Sequence, residues 1–311
     1  MSLPADLPAR FMVPARDGQP AIPQSLKVLD CTVQGNLAEI LVDPKSAKYL
    51  RDRRYAAELA IPKRHISVSQ VNAYLRCPLQ YYWRYVEGIS TPPTSSMSFG
   101  TAMHRAIEAN NRYKAEHQED MPADDVQEVW AQAWNEAAEQ TAFEDGENAG
   151  EIKDEGVRAL ELYMQEIAPT ISPILIEHVF EIGLDDSYTL KGIIDCVDQN
   201  NLIIDNKTTK RTPSGDPTQG NLQLVAYAIA HREILGITES GVRLDYIVRT
   251  KTPKVISFSG GPCDDLAIKR GLKLISATAR AIRLGVYMPN PNNFTCSSTG
   301  CGYWDICHDQ W

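Results

Sequence analysis

Two aspartates and a lysine crowd the stretch from Tyr188 to Lys207, YTLKGIIDCVDQNNLIIDNK. It reads as two strands joined by a tight polar turn. Period-two alternation puts Ile193, Asp195 and Val197 on one face of the first strand, and Ile203, Asp205 and Lys207 on one face of the second. With the turn centred on Asn200, residues whose numbers sum to 400 oppose each other, which sets Asp195 against Asp205. Side chains so opposed have Cβ atoms roughly 4.5–5.5 Å apart, and like charges there are destabilising. Two carboxylates in an otherwise apolar hairpin therefore want a cation. Lys207 supplies one charge, and a divalent ion would supply the rest; carboxylates and water suit Mg²⁺ or Mn²⁺. The plainer alternative is a solvated hairpin face with incidental acids.

The elements that must position this hairpin follow from the pattern around it. Upstream, Ser67 and Gln70 have capping-box spacing for a helix rich in aromatics and interrupted at Pro78. A second helix, SFGTAMHRAIEANNRY, carries His104 and Glu108 on one face, with Gly100 one turn earlier. Acidic helices follow, with Val126, Val129, Trp130, Ala133 and Trp134 as an apolar stripe. After Pro169 and Pro173 the period changes to two. The strand ILIEHVFEIGL carries Glu177 and Glu181 on one face, and the hairpin comes next. Then come a helix with Gln223 and Tyr227 at i and i+4, strands at 242–249 and 254–259, and a long helix from Asp264 to Leu284. This order predicts an α/β fold with a mixed central sheet flanked by helices. Residues 1–62 read as an N-terminal extension, with a strand pair at Leu26–Leu29 and Ala38–Val42 and a helix at Ser46–Leu59. Residues 63–311 form the main domain, with a helical insertion over about 110–168 and a cysteine-rich end at 294–311.

The formal charge of −9 hides an asymmetry. Glu116 to Glu166 holds sixteen acids and two bases, whereas Gly241 to Leu284 holds nine bases and three acids. A polyanion would meet the second region, with Lys210 and Arg211 extending it. No run of 18 apolar residues exists and the N-terminus lacks the apolar core of a signal peptide, so the expectation is a cytoplasmic protein without a membrane span. Seven cysteines cannot all pair within one chain, and three crowd the last sixteen residues, which fits a metal or cluster site better than a disulfide framework. No GxxxxGK[ST] phosphate loop is present, so the chain carries no recognisable helicase motor.

Gly100-x-x-x-His104, Gly192-x-x-Asp195, Asp205-Asn206-Lys207 and Gln223-x-x-x-Tyr227 occur in that order. In this the chain resembles the RecB-like branch of the PD-(D/E)XK nucleases, over roughly residues 64–311. The resemblance implies a restriction-endonuclease-like core and a DNA nuclease, an exonuclease more than an endonuclease, of the kind that processes ends in recombination, repair or phage and CRISPR DNA metabolism. It implies Asp195, Asp205 and Lys207 as catalytic residues. His104, Asp195, Asp205 and the Asn206 carbonyl would be metal ligands, and Gln223 and Tyr227 would contact the substrate or orient Lys207. A helicase, recombinase or annealing protein would be its partner besides DNA, and an oligomer is compatible with the family. The alternative is a non-catalytic DNA-binding or iron–sulfur redox-sensing subunit of a helicase–nuclease assembly.

Relatives with an iron–sulfur cluster place one cysteine in the early Cys-Pro helix and three near the C-terminus. Here these are Cys77, Cys296, Cys301 and Cys307, which the resemblance implies as ligands of a 4Fe-4S cluster, with Zn²⁺ as the alternative. The spacing departs from the family's. Four residues rather than two separate Cys296 from Cys301, and five separate Cys301 from Cys307. Cys31, Cys196 and Cys263 read as structural.

Overall fold

The computed structural model describes residues 9–16, 19–20, 27–34, 37–42, 64–184 and 188–310. Two compact units emerge, Met1–His65 with Gly183–Thr189, and Ile66–Ile182 with Leu190–Trp311. In the first, β1 (Ala9–Arg16), β2 (Gln19–Pro20), β3 (Val28–Gln34) and β4 (Leu37–Val42) form an antiparallel sheet in the order β2-β1-β4-β3. The expected strand at Leu26–Leu29 is seen as β3, which starts at Val28 and runs on to Gln34. The helix expected at Ser46–Leu59 lies outside the described residues.

After β5 (Arg64–Ile66), Ser67 caps α1 (Val68–Arg76) with a reciprocal bond to Gln70, the capping box foreseen from spacing. Cys77 breaks the helix with extended backbone and Pro78 starts the next, α2 (Pro78–Tyr81), at the position where a missing N–H costs nothing. Then follow α3 (Ser95–His117), α4 (Ala123–Ala138) and α5 (Ala149–Glu166). Strands β6 (Pro173–Gly183), β7 (Tyr188–Asp198) and β8 (Leu202–Thr209) precede α6 (Leu222–Leu235). The chain closes with β9 (Gly241–Val248), β10 (Lys254–Gly260), α7 (Asp265–Arg283) and α8 (Trp304–Gln310). The strand order is β10-β9-β8-β7-β5, with β6 also on β7. Because β7 and β8 are antiparallel while β8 and β9 are parallel, the sheet is mixed.

Helices flank the sheet on both faces, and residue parity decides which. Cys196, Ile204 and Ile247 point into a core with Phe99, Met103, Trp130, Trp134 and Tyr163 of α3, α4 and α5. The apolar stripe of α4 is thus core: Val126, Trp130 and Trp134 are at most 1% exposed. Truncating one such indole would cost about 3–5 kcal/mol. Asp195, Asp205 and Lys207 have the opposite parity and meet α6. Gly100 lets α3 approach β8, for a Cβ there would lie 3.0 Å from Thr208 Oγ1. No helix among the described residues is long and apolar enough to cross a membrane.

Candidate active site

Register comes first. Cys196 pairs with Ile204 and Val197 with Ile203, so opposed residue numbers do sum to 400. Asp198 holds the turn: its Oδ1 accepts from the amides of Asn200 at 2.8 Å and Leu202 at 2.9 Å, while Asn201 takes a positive φ of 61°. Asp195 Oδ2 accepts from the Asn206 amide at 3.1 Å, which fixes it beside Asp205 across the hairpin.

An unbroken chain of polar contacts joins the two acids. Lys207 Nζ lies 2.6 Å from Asp205 Oδ2 and donates to Gln223 Oε1 at 2.7 Å. Gln223 Nε2 donates to the Tyr227 hydroxyl at 2.7 Å, and that hydroxyl donates to Asp195 Oδ1 at 3.3 Å. The i, i+4 spacing on α6 places Gln223 and Tyr227 side by side. Asn221 anchors the start of that helix by accepting from the amides of Gln223 and Leu224. Tyr227 in turn rests edge-on against Phe180, with centroids 6.2 Å apart. Only glycine fits opposite that ring, because a Cβ at Gly192 would lie 2.5 Å from Phe180 Cζ.

The electrostatics follow from burial. Asp205 is fully buried. Desolvation first, and the negative charge of Asp195 second, push its carboxyl up to about 7 against the opposing pull of Lys207. Lys207 Nζ at 2.6 Å and the Tyr227 hydroxyl are the donors within reach of this carboxylate, and both work against that rise. Burial likewise drives the Tyr227 phenol far above its ordinary value, so it stays a neutral donor.

On the outer side of Asp195, His104 Nδ1 lies 3.4 Å from Asp195 Oδ2. Glu177 completes a trio whose ligand atoms, one each from His104, Glu177 and Asp195, all lie within 4.8 Å of one another. Burial, then the charges of Asp195 and Glu108, raise the Glu177 carboxyl to about 7. A regular strand would keep Glu177 and Glu181 on the same face. The two part company: Glu177 has a φ of 44°, an uncommon left-handed backbone for a side chain that is not glycine, and Glu181 instead pairs with Lys191 at 2.9 Å. Glu108 lines the same groove, which also includes Gly100, His104, Glu177 and Thr208, but its carboxylate accepts from Arg112 at 2.8 Å. An imidazole and two carboxylates converging in this way, with the buried Asp205 next to Asp195, are a donor set that fits a divalent cation.

A family profile, the PD-(D/E)XK nuclease superfamily, matches residues 65–308. The chain belongs to the PD-(D/E)XK nuclease superfamily. Among solved structures, a candidate exonuclease from Eubacterium rectale superposes with a TM-score of 0.54 over 84% of this chain and 92% of its own, at 10% identity. At that identity the likeness speaks for the fold, a restriction-endonuclease-like core. A second structure, SSO0001, covers 85% of this chain and 97% of its own at 16% identity, but its TM-score of 0.36 carries no weight. No curated protein matches the sequence significantly. The matched span includes Asp195, Asp205, Asn206 and Lys207.

The other expected site residues fall in two places. Lys210 and Arg211 continue β8 beyond Lys207; Lys210 pairs with Glu147 at 2.9 Å, and Arg211 is exposed. Cys77, Cys296, Cys301 and Cys307 converge around a cavity of about 400 Å³ that Trp83 and Tyr303 also line. Burial, followed by the charges of the other three, raises the Cys307 thiol. The longer spacer is taken up in a turn, in which the Gly300 amide donates to Ser297 O at 3.2 Å and the Cys301 amide to the same oxygen at 3.0 Å. One expectation is corrected. Arg243 is not part of an exposed basic strip: it is buried, and its guanidinium donates to Asp245 at 2.7 Å and to Thr170 at 3.1 Å.

Proposed function

We propose that the protein is a divalent-metal-dependent deoxyribonuclease of RecB-like type that degrades DNA from its ends, with Asp195, Asp205 and Lys207 as catalytic residues. The chain of contacts Asp205–Lys207–Gln223–Tyr227–Asp195 carries the reading, because it ties two acids and a lysine into one preorganised unit. His104, Glu177, Asp195 and Asp205 would hold Mg²⁺ or Mn²⁺, with the Asn206 carbonyl; the imidazole favours Mn²⁺. When bound, such an ion polarises a phosphodiester and lowers the pKa of a water. Gln223 Oε1 accepts a hydrogen bond from Lys207 and Asp205 faces the same ammonium, which orients it so that its remaining N–H can position the attacking water and offset charge on phosphate. Tyr227, kept neutral, holds Asp195 in place rather than competing for the phosphate.

The four cysteines are assigned to a 4Fe-4S cluster, with zinc as the competitor. Zn–S bonds of about 2.3 Å would draw four sulfurs to about 3.8 Å apart around a single ion. A cavity of about 400 Å³ bounded by these cysteines suits a larger group.

The test is cleavage of end-labelled single- and double-stranded DNA by anaerobically prepared protein with Mg²⁺ or Mn²⁺. Cleavage from ends, lowered at least about 100-fold by Lys207→Ala, is expected. Wild-type protein that cuts no end or strand overturns the enzymatic reading, and cutting of a circular single strand makes it an endonuclease.

A further inference from the structure

Beyond Lys207, β8 leads into Thr208, Thr209, Lys210 and Arg211, and a second cavity of about 320 Å³ opens there. Ser96 of the first turn of α3, both threonines, Lys210, Arg211 and Arg249 line it. Ser96 and Thr208 also line the groove of His104 and Glu177, so the two spaces adjoin.

Arg249 is the unusual member. It is 7% exposed, its guanidinium carbon lies 5.0 Å from the Phe99 ring centre, and its Nε stands 3.5 Å from Glu155. Its Nη1 is buried and has no hydrogen-bond partner among the described residues. A buried donor left unsatisfied is costly, and the arginine fork is the side chain best matched to phosphate oxygens. A second observation points the same way. At this end of α3 the Glu147 carboxylate accepts from Ser95 Oγ at 2.7 Å and from Lys210 Nζ at 2.9 Å. Burial opposes its charge, yet those bonds and one from the Glu144 amide hold it down at about 2. The fold therefore already stabilises an anion beside this helix N-terminus.

We propose that this cavity is a phosphate subsite for the substrate strand, with Arg249 as its floor and Lys210 and Arg211 as its rim. The assignment rests on the nuclease reading. Thr209 lies two residues past Lys207, about 7 Å along the strand, and Lys210 and Arg211 turn back beside it, with the Arg211 amide bonded to Thr209 Oγ1, so the rim stands at most about 13 Å from Lys207. That is the reach of a phosphate two to four nucleotides from the reacting bond, at about 3.4 Å each in a stacked strand. The loop between α4 and α5 closes over this end of α3, through a bridge of Thr94 with Ala142 and a 2.6 Å bond between Ser98 Oγ and Thr141 Oγ1. With three cationic side chains in its lining the space suits a strand's end, since a terminal phosphate carries about −1.5 to −2 charges. An internal phosphodiester is the other source of the same chemistry.

The test is fluorescence anisotropy in EDTA, with the full chain and three single strands: 5′-phosphorylated, 3′-phosphorylated and unphosphorylated, each labelled away from the phosphate. Wild type should bind one phosphorylated strand about tenfold more tightly than the unphosphorylated one, and Arg249→Met and Arg211→Gln should each lose most of that gain. If all three strands bind wild type alike and both variants bind them about tenfold more weakly, the cavity holds an internal phosphodiester. Variants equal to wild type on every strand overturn the subsite. Because Arg249 is buried, its variant's thermal melt is measured alongside, and the exposed Arg211 carries the test if Arg249→Met does not fold. No step needs cleavage. Binding of phosphorylated ends without any nuclease activity defeats the nuclease reading alone, and cleavage by wild type with no difference among strands or variants defeats the subsite alone.

Discussion

Replacing Asp205 with asparagine should remove a loss of stability that the metal-free protein suffers as pH rises, while abolishing its chemistry. Asp205 is fully buried, and its carboxyl is pushed up to about 7 from an ordinary 3.8. Between those values the folded chain keeps a proton that the unfolded chain releases. The stability this contributes is complete below pH 3.8 and is lost as pH rises through 7. At 1.36 kcal/mol per decade of proton affinity, the full loss is about 4 kcal/mol. Asparagine keeps the shape and cannot ionise, but it gives up the 2.6 Å contact with Lys207. That penalty complicates a comparison at one pH and largely cancels between two. From about pH 5.5 to about pH 8 the wild type should lose about 2 kcal/mol relative to Asp205→Asn. Urea unfolding in EDTA at the two pH values measures it. Adding Mg²⁺ or Mn²⁺ at the higher pH should restore the wild type by mass action and leave the variant nearly unmoved. A stability gap that does not change with pH would refute the argument from burial, and a variant that gains as much from metal as the wild type would remove Asp205 from the metal site.

Glu177→Gln should lower metal-dependent cleavage about 10–100-fold, whereas Glu181→Gln, whose carboxylate faces Lys191, should leave it unchanged; equal losses would undo the distinction between the two. Gly192→Ala would drive a methyl to 2.5 Å from the Phe180 ring, an overpacking worth about 1–3 kcal/mol that a lowered urea midpoint would show; a midpoint equal to wild type would mean the ring has room to move. Cys301→Ser should bleach the brown colour of anaerobically purified protein, with loss of iron and a lower melting temperature, and a colourless wild type containing zinc would overturn the cluster assignment.

How much of this was legible in the sequence depended on range. The hairpin was readable because alternation and turn chemistry are local: the opposition of residues 195 and 205 follows from a turn at Asn200, and Asp198 enforces it with two backbone bonds. Gln223 and Tyr227 were readable as neighbours from helical spacing, but their junction with Lys207 and Asp195 is tertiary. His104 stands 91 positions before Asp195, and only the resemblance joined them, since no periodicity reaches that far. Glu177 and Glu181 could not be separated because strand alternation treats them alike, and the break between them is a backbone angle that glutamate gives no sign of adopting. At Arg243 the basic strip was misread for a related reason. Counting charges between 241 and 284 cannot tell Arg243, spent on Asp245 in the interior, from an exposed cation.

The two proposed inorganic sites differ in what would hold the protein together without them. Around Asp205 the sheet, Lys207 and α6 are already in place, so an absent ion leaves the carboxylate to Lys207 or to a proton inside an intact frame. The cysteine region is thinner. Leu79, Trp83 and Tyr303 are its buried apolar residues, and its C-terminal segment is tied to the early helices by a few long-range bonds. Asn290 and Asn293 donate to Arg76 O at 2.8 and 3.2 Å, and Tyr303 donates to Ile89 O at 2.9 Å. Each such bond contributes about 1 kcal/mol, enough to bring Cys77 near the last three cysteines but little against the entropy of closing a loop of that length. A bound cluster would supply the remainder. The dependence on it should therefore be local, with loss of the cluster loosening α8 and the Cys296–Cys307 loop before it disturbs the contacts at Lys207, because none of them runs through the cysteine cavity.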